Sequence, residues 1–197
     1  ANSAFFLFAF IVGIFLMSIL LMIQLNSFYQ VFIIVSAVIL STAGVQLGYL
    51  VTQQISSALF TSLGVIALAG IVVNNNIVLV DTYNVISREN PNLSRDQIVV
   101  RTAAQRLRPI ILTTATTVIG LLPLASGIGV DFYQRNVEIG GRVSEWWQPM
   151  SFAVVCGLTF ASAITLFLTP CWLMLPVAIR ETLSNIKKTF LKTASER

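Results

Sequence analysis

Three consecutive carboxamides, Asn74, Asn75 and Asn76, lie inside an apolar run, and the first charged residue of the chain, Asp81, comes only a few positions later. A buried amide without a hydrogen-bond partner costs roughly 2 to 7 kcal/mol, so three in a row require partners. Two kinds of chemistry are open to them. They can exchange hydrogen bonds with a titrating neighbour, or they can simply tie helices together at about 0.6 to 2 kcal/mol per bond. At 100° per residue the triplet sweeps about 200° of a helix, so Asn74 and Asn76 cannot share one narrow face and other helices are expected around them.

A second polar stripe follows Arg106, Arg108 and Pro109. Thr113, Thr116, Thr117 and Gly120 recur at i, i+3, i+4 and i+7, which places them on one face of a helix. Threonine hydroxyls in membrane helices commonly bond a carbonyl of their own preceding turn, so a single one says little. A stripe of them beside asparagines says more. The expectation is that amide and hydroxyl side chains meet across adjoining helices in a wet, switchable seam.

Enzyme chemistry lacks its parts. The sequence contains no histidine, which removes histidine general-base catalysis and most zinc sites. The spans carry no carboxylate pair, and their serines and threonines have no base beside them. Cys156 and Cys171 fall fifteen residues apart in one span, about 22 Å along a helix, too far for a disulfide. They are expected to be packing residues.

The elements that position these groups follow from composition. The chain of 197 residues is 56% hydrophobic and 10% charged, with a mean hydropathy of +0.84, which indicates an integral membrane protein. Apolar stretches at about 4–24, 28–51, 58–82, 109–126 and 150–175 are each long enough to cross a bilayer core of about 30 Å as a helix. The predicted fold is an all-α integral membrane bundle of five transmembrane helices, forming a single domain over 1–197. Ser94 and Gln97 fit a capping box that starts a short surface helix at about 95–107. Pro109 then suits the first turn of the fourth span. A second amphipathic helix is expected at about 179–191, with Ile179, Leu183, Ile186 and Phe190 opposite Lys187 and Lys188.

Small residues mark where helices approach. Gly44 and Gly48 form a GxxxG pair in the second span, and Gly157, Ala161, Thr165 and Thr169 form a ridge in the fifth. Pro170 and Pro176 are expected to kink and end that span. Residues 127–149 form an outer loop, with Trp146 and Trp147 as interfacial anchors. Arg88, Arg95, Arg101, Arg106 and Arg108 separate spans three and four, and Arg180, Lys187, Lys188, Lys192 and Arg197 follow span five. Only Arg135 and Arg142 lie on the other side, so both basic segments are predicted cytoplasmic and the N-terminus extracytoplasmic. No aromatic-basic motif accompanies the arginines, so no nucleic-acid partner is expected. The first span lacks a basic n-region and the chain does not begin with Met, so no removable signal peptide is expected and the chain is read as a segment of something longer.

The run Gly70-Ile-Val-Val-Asn-Asn-Asn-Ile-Val-Leu-Val-Asp81, followed by Arg106-Leu-Arg-Pro-Ile-Ile-Leu-Thr-Thr114 and Gly120-Leu-Leu-Pro-Leu-Ala125, resembles the end of a resistance-nodulation-division efflux transporter. The resemblance covers essentially the whole chain and implies the last five helices of a twelve-helix membrane domain. It further implies a proton-driven pump of the bacterial inner membrane that exports hydrophobic or amphiphilic compounds, with the proton gradient and no cofactor as its energy source. Implied partners are membrane lipid, the N-terminal half of the same transporter, two further copies in a homotrimer, a periplasmic adaptor and an outer-membrane channel. The N-terminus would be periplasmic and the C-terminus cytoplasmic.

In that family a lysine, a threonine and an arginine of these helices join two aspartates of the other half in a proton relay. By resemblance the threonine falls on Thr113 and the arginine on Arg106. The lysine position falls on Asn74, a departure, because an amide cannot neutralise a carboxylate. The implied relay set is Asn74, Asn75, Thr113 and Arg106, with Asn76 and Thr117 in secondary places. The competing readings are a non-transporting membrane scaffold or truncated remnant, and branches of the superfamily that export lipids or assist protein translocation. Metal efflux is less favoured, because Met17 and Met22 are too sparse for a methionine ladder and the spans carry no acidic pair.

Overall fold

In the computed structural model the backbone is described for residues 2–54, 57–131 and 136–195, and the side chains for 4–54, 57–128, 140–141 and 144–175. The side chains of the expected amphipathic helix at 179–191, and those of Arg135 and Arg142, lie outside the described residues. The elements run α1 (Asn2–Leu25), α2 (Phe28–Thr52), α3 (Ala58–Glu89), α4 (Arg95–Ala125), β1 (Ile128–Asp131), β2 (Asn136–Ile139) and α5 (Arg142–Ser195). Each of the five helices contains a stretch long and apolar enough to cross a membrane. The chain is an all-α, multi-pass membrane bundle, with one short hairpin outside the spans.

That hairpin lies within the expected outer loop. β1 and β2 pair antiparallel, with Ile128 opposite Ile139 and Asp131 opposite Asn136. Gly127 and Gly140 flank it with φ of 78° and 84°, values that a side chain resists. The Gly140 amide donates to the Gly127 carbonyl at 3.0 Å and closes its base.

Two expected helix breaks are absent. Ser94 and Gln97 do form the capping box, with the Gln97 amide donating to Ser94 Oγ at 3.4 Å and the Ser94 amide to Gln97 Oε1 at 3.3 Å. The helix they start, however, runs through Pro109 into the fourth span as the single α4. Burial of Ile98, Val99, Thr102 and Ile110 holds both halves of α4 on one axis, and the carbonyl freed by the proline ring belongs to Gln105, an exposed residue that water can satisfy. Likewise α5 continues past Pro170 and Pro176, so the fifth span and the expected tail helix are one element.

Helices α2, α3 and α5 form the centre. Buried residues make up 44% of each of their apolar windows but only 6% in α1 and α4, which therefore sit at the periphery. Lipid tails are as apolar as leucine, so close packing and hydrogen bonding must hold such a bundle. The small residues serve that end. A Cβ on Gly44 would lie 2.5 Å from Phe160 Cβ, and one on Gly48 2.5 Å from Cys156 Cβ, so the GxxxG pair is the seat of α5 on α2. Gly64 faces the Met150 carbonyl, and Gly157 admits Leu68 and Val45. Tyr49 completes this junction, its hydroxyl donating to the Pro149 carbonyl at 2.7 Å and pairing with Thr61 Oγ1 at 3.0 Å.

Candidate functional site

The three asparagines face three different surroundings. Asn76 is fully buried. Its Nδ2 donates to the Val72 carbonyl at 2.9 Å and to Thr165 Oγ1 at 3.4 Å, while its Oδ1 accepts from Thr169 Oγ1 at 3.0 Å. The amide is thus clasped by α5, and the small ridge expected there also supplies hydroxyls. Replacing Asn76 with alanine should destabilise the bundle by about 2 kcal/mol, since two interhelical bonds vanish and two threonines lose their partner. Unfolding in mixed micelles checks this, and a loss below about 0.5 kcal/mol would mean the clasp contributes little.

Asn75 is half-buried and lines a narrow crevice with Ile110, Ser162 and Thr165. The crevice has no room for a water molecule. The expected seam therefore exists as an interhelical polar contact, but at this point it is dry. Asn74 is exposed, and no hydrogen bond to it occurs among the described residues. It belongs to an open stripe of α3 made of Leu63, Ile66, Gly70, Asn74, Asp81 and Val85, all exposed. A Cβ built on Gly70 meets nothing within 4 Å.

On α4 the threonine stripe is turned outward. Thr113, Thr116 and Gly120 are exposed and Thr117 is half-buried. Thr113 Oγ1 donates to the Ile110 carbonyl at 3.0 Å, Thr116 to the Leu112 carbonyl at 2.9 Å and Thr117 to the Thr113 carbonyl at 2.8 Å, all within their own helix. The hydroxyl that reaches a neighbouring helix is Thr114, paired with Ser162 Oγ at 2.7 Å. Sequence reasoning missed Thr114 and Ser162; the usable signal was that Thr114 lies about 100° round the helix from Thr113, off the stripe.

Arg106 lies half-buried beneath α3, its Nε donating to Thr82 Oγ1, which in turn donates to the Val78 carbonyl at 2.7 Å. This contact sets the depth of the other groups. α3 and α4 run antiparallel, so moving seven residues from Arg106 to Thr113 matches moving seven back from Thr82 to Asn75, about 10 Å in each helix. Ile110 and Asn75 share one crevice, within about a turn of that register. Arg106 is therefore held near one end, while Thr113 and the asparagines lie about two turns deeper. No hydrogen bond joins Arg106 or Thr113 to Asn74 among the described residues. A reciprocal amide pair, Gln30 Nε2 donating to Asn84 Oδ1 at 2.7 Å and Asn84 Nδ2 to Gln30 Oε1 at 3.1 Å, ties α2 to α3.

The helices thus form a membrane bundle with a buried polar clasp inside and, on α3, an open stripe that carries Asn74 and Asp81. Residues 1–176 match the AcrB/AcrD/AcrF family model, and the chain belongs to that family of resistance-nodulation-division transporters. It is similar to the multidrug resistance protein MdtC of Citrobacter koseri and to that of Klebsiella pneumoniae subsp. pneumoniae, 34% identical to each over 134 residues. Those residues make up 66% of this chain and 12% of each relative, so the chain matches about an eighth of their length. The crystal structure of a heavy metal efflux pump is also similar, with a TM-score of 0.62 and 30% identity over 80% of this chain and 14% of that one. The five helices correspond to part of the family's twelve-helix membrane domain.

Proposed function

We propose that this chain is the C-terminal membrane portion of a proton-driven inner-membrane efflux pump that exports hydrophobic or amphiphilic compounds. The observation that carries the reading is the open stripe of α3. Asn74 is exposed midway along a helix that crosses hydrocarbon, and an amide at such depth faces a protein partner or water. The relatives are about eight times longer than the matched segment, so a second half can supply that partner. In this reading the N-terminus is periplasmic and the arginine-rich α3–α4 junction cytoplasmic. The full protein works as a homotrimer with a periplasmic adaptor and an outer-membrane channel.

An acid on the other half carries the proton. A carboxylate in low dielectric holds a proton until its hydrogen-bond partners change. Asn74 offers such a partner, Thr113 turns from its own helix to the acid when the acid ionises, and Arg106 supplies positive charge toward the cytoplasmic exit. Asn75 backs the pair from its crevice, while Asn76 and Thr117 hold the frame. Segments named for multidrug and for heavy-metal export both resemble these helices, which fits selection of cargo elsewhere in the protein.

The test is Arg106→Gln in the full-length transporter. Proton influx accompanying export in proteoliposomes should fall about fivefold, equivalent to about 1 kcal/mol of lost electrostatic support. Unchanged influx removes Arg106 from the relay.

A further inference from the structure

Where α3 and α4 are joined, at one edge of the spans, lies a cavity of about 240 Å³. Asp81, Glu89, Arg101 and Arg106 all line it, together with Thr82 and Gln105. Two guanidinium groups and two carboxylates thus share one opening, and among the described residues no ion pair joins them. Asp81, Glu89 and Arg101 are exposed, and the contact of Arg106 Nε with Thr82 leaves the end of its guanidinium fork for another partner.

The chemistry of the lining narrows what fits. A ligand of one charge would meet repulsion from half of the groups, whereas a zwitterion matches both signs. The arginine forks suit a phosphate. Quaternary ammonium groups are held by aromatic rings, and none of the lining residues is aromatic. Carboxylates and the Gln105 carbonyl instead accept hydrogen bonds, which a primary ammonium donates. Val85, 44% exposed, adds an apolar wall beside these polar groups, as a molecule with a hydrocarbon tail requires.

We infer that this cavity holds the headgroup of a zwitterionic phospholipid with a primary ammonium, its phosphate on Arg101 and Arg106 and its ammonium on Asp81 and Glu89. The full-length protein in phosphatidylcholine nanodiscs, titrated with phosphatidylethanolamine and read by native mass spectrometry, tests it. The expected result is one retained phosphatidylethanolamine per chain, with retention lowered about tenfold by Glu89→Gln and by Arg101→Gln, as loss of a charge-assisted bond implies. Both residues are exposed, so neither variant should disturb folding. Four outcomes overturn the inference: no retained lipid in the unaltered protein, retention in both variants as high as in the unaltered protein, equal retention of phosphatidylglycerol, which would mark a plain anion site, or displacement by soluble phosphoethanolamine at equal concentration, which would mark a soluble ligand.

Discussion

Asn74→Ala in the full-length transporter is expected to lower proton-driven export about thirtyfold while leaving the amount of folded protein unchanged, the former corresponding to loss of a hydrogen bond to a charged group of about 2 kcal/mol. The two halves of that expectation have separate grounds. Asn74 has no hydrogen-bond partner among the described residues, so its removal orphans nothing within the bundle. Under the proposed relay its partner is an acid on the other half, and loss of the amide changes how readily that acid parts with its proton. Asn76→Ala should show the reverse pattern, with lower stability and export falling only as folded protein falls. Export measured against an imposed pH gradient, normalised to folded transporter, separates the two. Asn74→Gln, which keeps the amide, should retain most export. Full export by Asn74→Ala would sink the relay assignment.

Gly44→Val should destabilise the bundle by about 3 kcal/mol, toward the upper end for overpacking. The first added atom would lie 2.5 Å from Phe160 Cβ and the next nearest ring atoms are at 2.6 and 2.7 Å, so α5 must move away from α2. A flexible side-chain end could swing aside, but a Cβ moves only with its backbone. For that reason Phe160→Ala should fail to rescue Gly44→Ala, since it leaves the obstructing atom in place, whereas Phe160→Gly should rescue it in part. Denaturation of the three single variants, Gly44→Ala, Phe160→Ala and Phe160→Gly, and of the two double variants in mixed micelles gives the coupling directly. Additive losses when Gly44→Ala is combined with Phe160→Gly would show that the helices do not meet at this pair.

Several of these features were legible in the residues. The length of the apolar stretches is set by bilayer thickness, and the Ser94 capping box and the Gly44 and Gly48 approach follow from local chemistry. The phase of α3 was not legible. Helical geometry requires the three asparagines to diverge, but which one turns inward depends on Thr165 and Thr169, about ninety residues away in sequence. The continuity of α4 through Pro109 was hidden for a similar reason. A proline weakens a helix locally, yet the buried Ile98, Val99 and Thr102 before it and Ile110 after it fix the axis on both sides. For the candidate site, the identity of Thr113 and Arg106 came from resemblance, whereas the Arg106 contact with Thr82 needed the antiparallel register of two helices.

The clasp around Asn76 limits the ways the bundle can move. Turning α3 about its own axis by one residue would tear the Asn76 amide from both threonines of α5. A spindle-like rotation is therefore resisted, and α3 and α5 should travel together as a rigid block. Under the proposed relay, any working stroke then takes place at the outer surface of that block, where Asn74 is exposed.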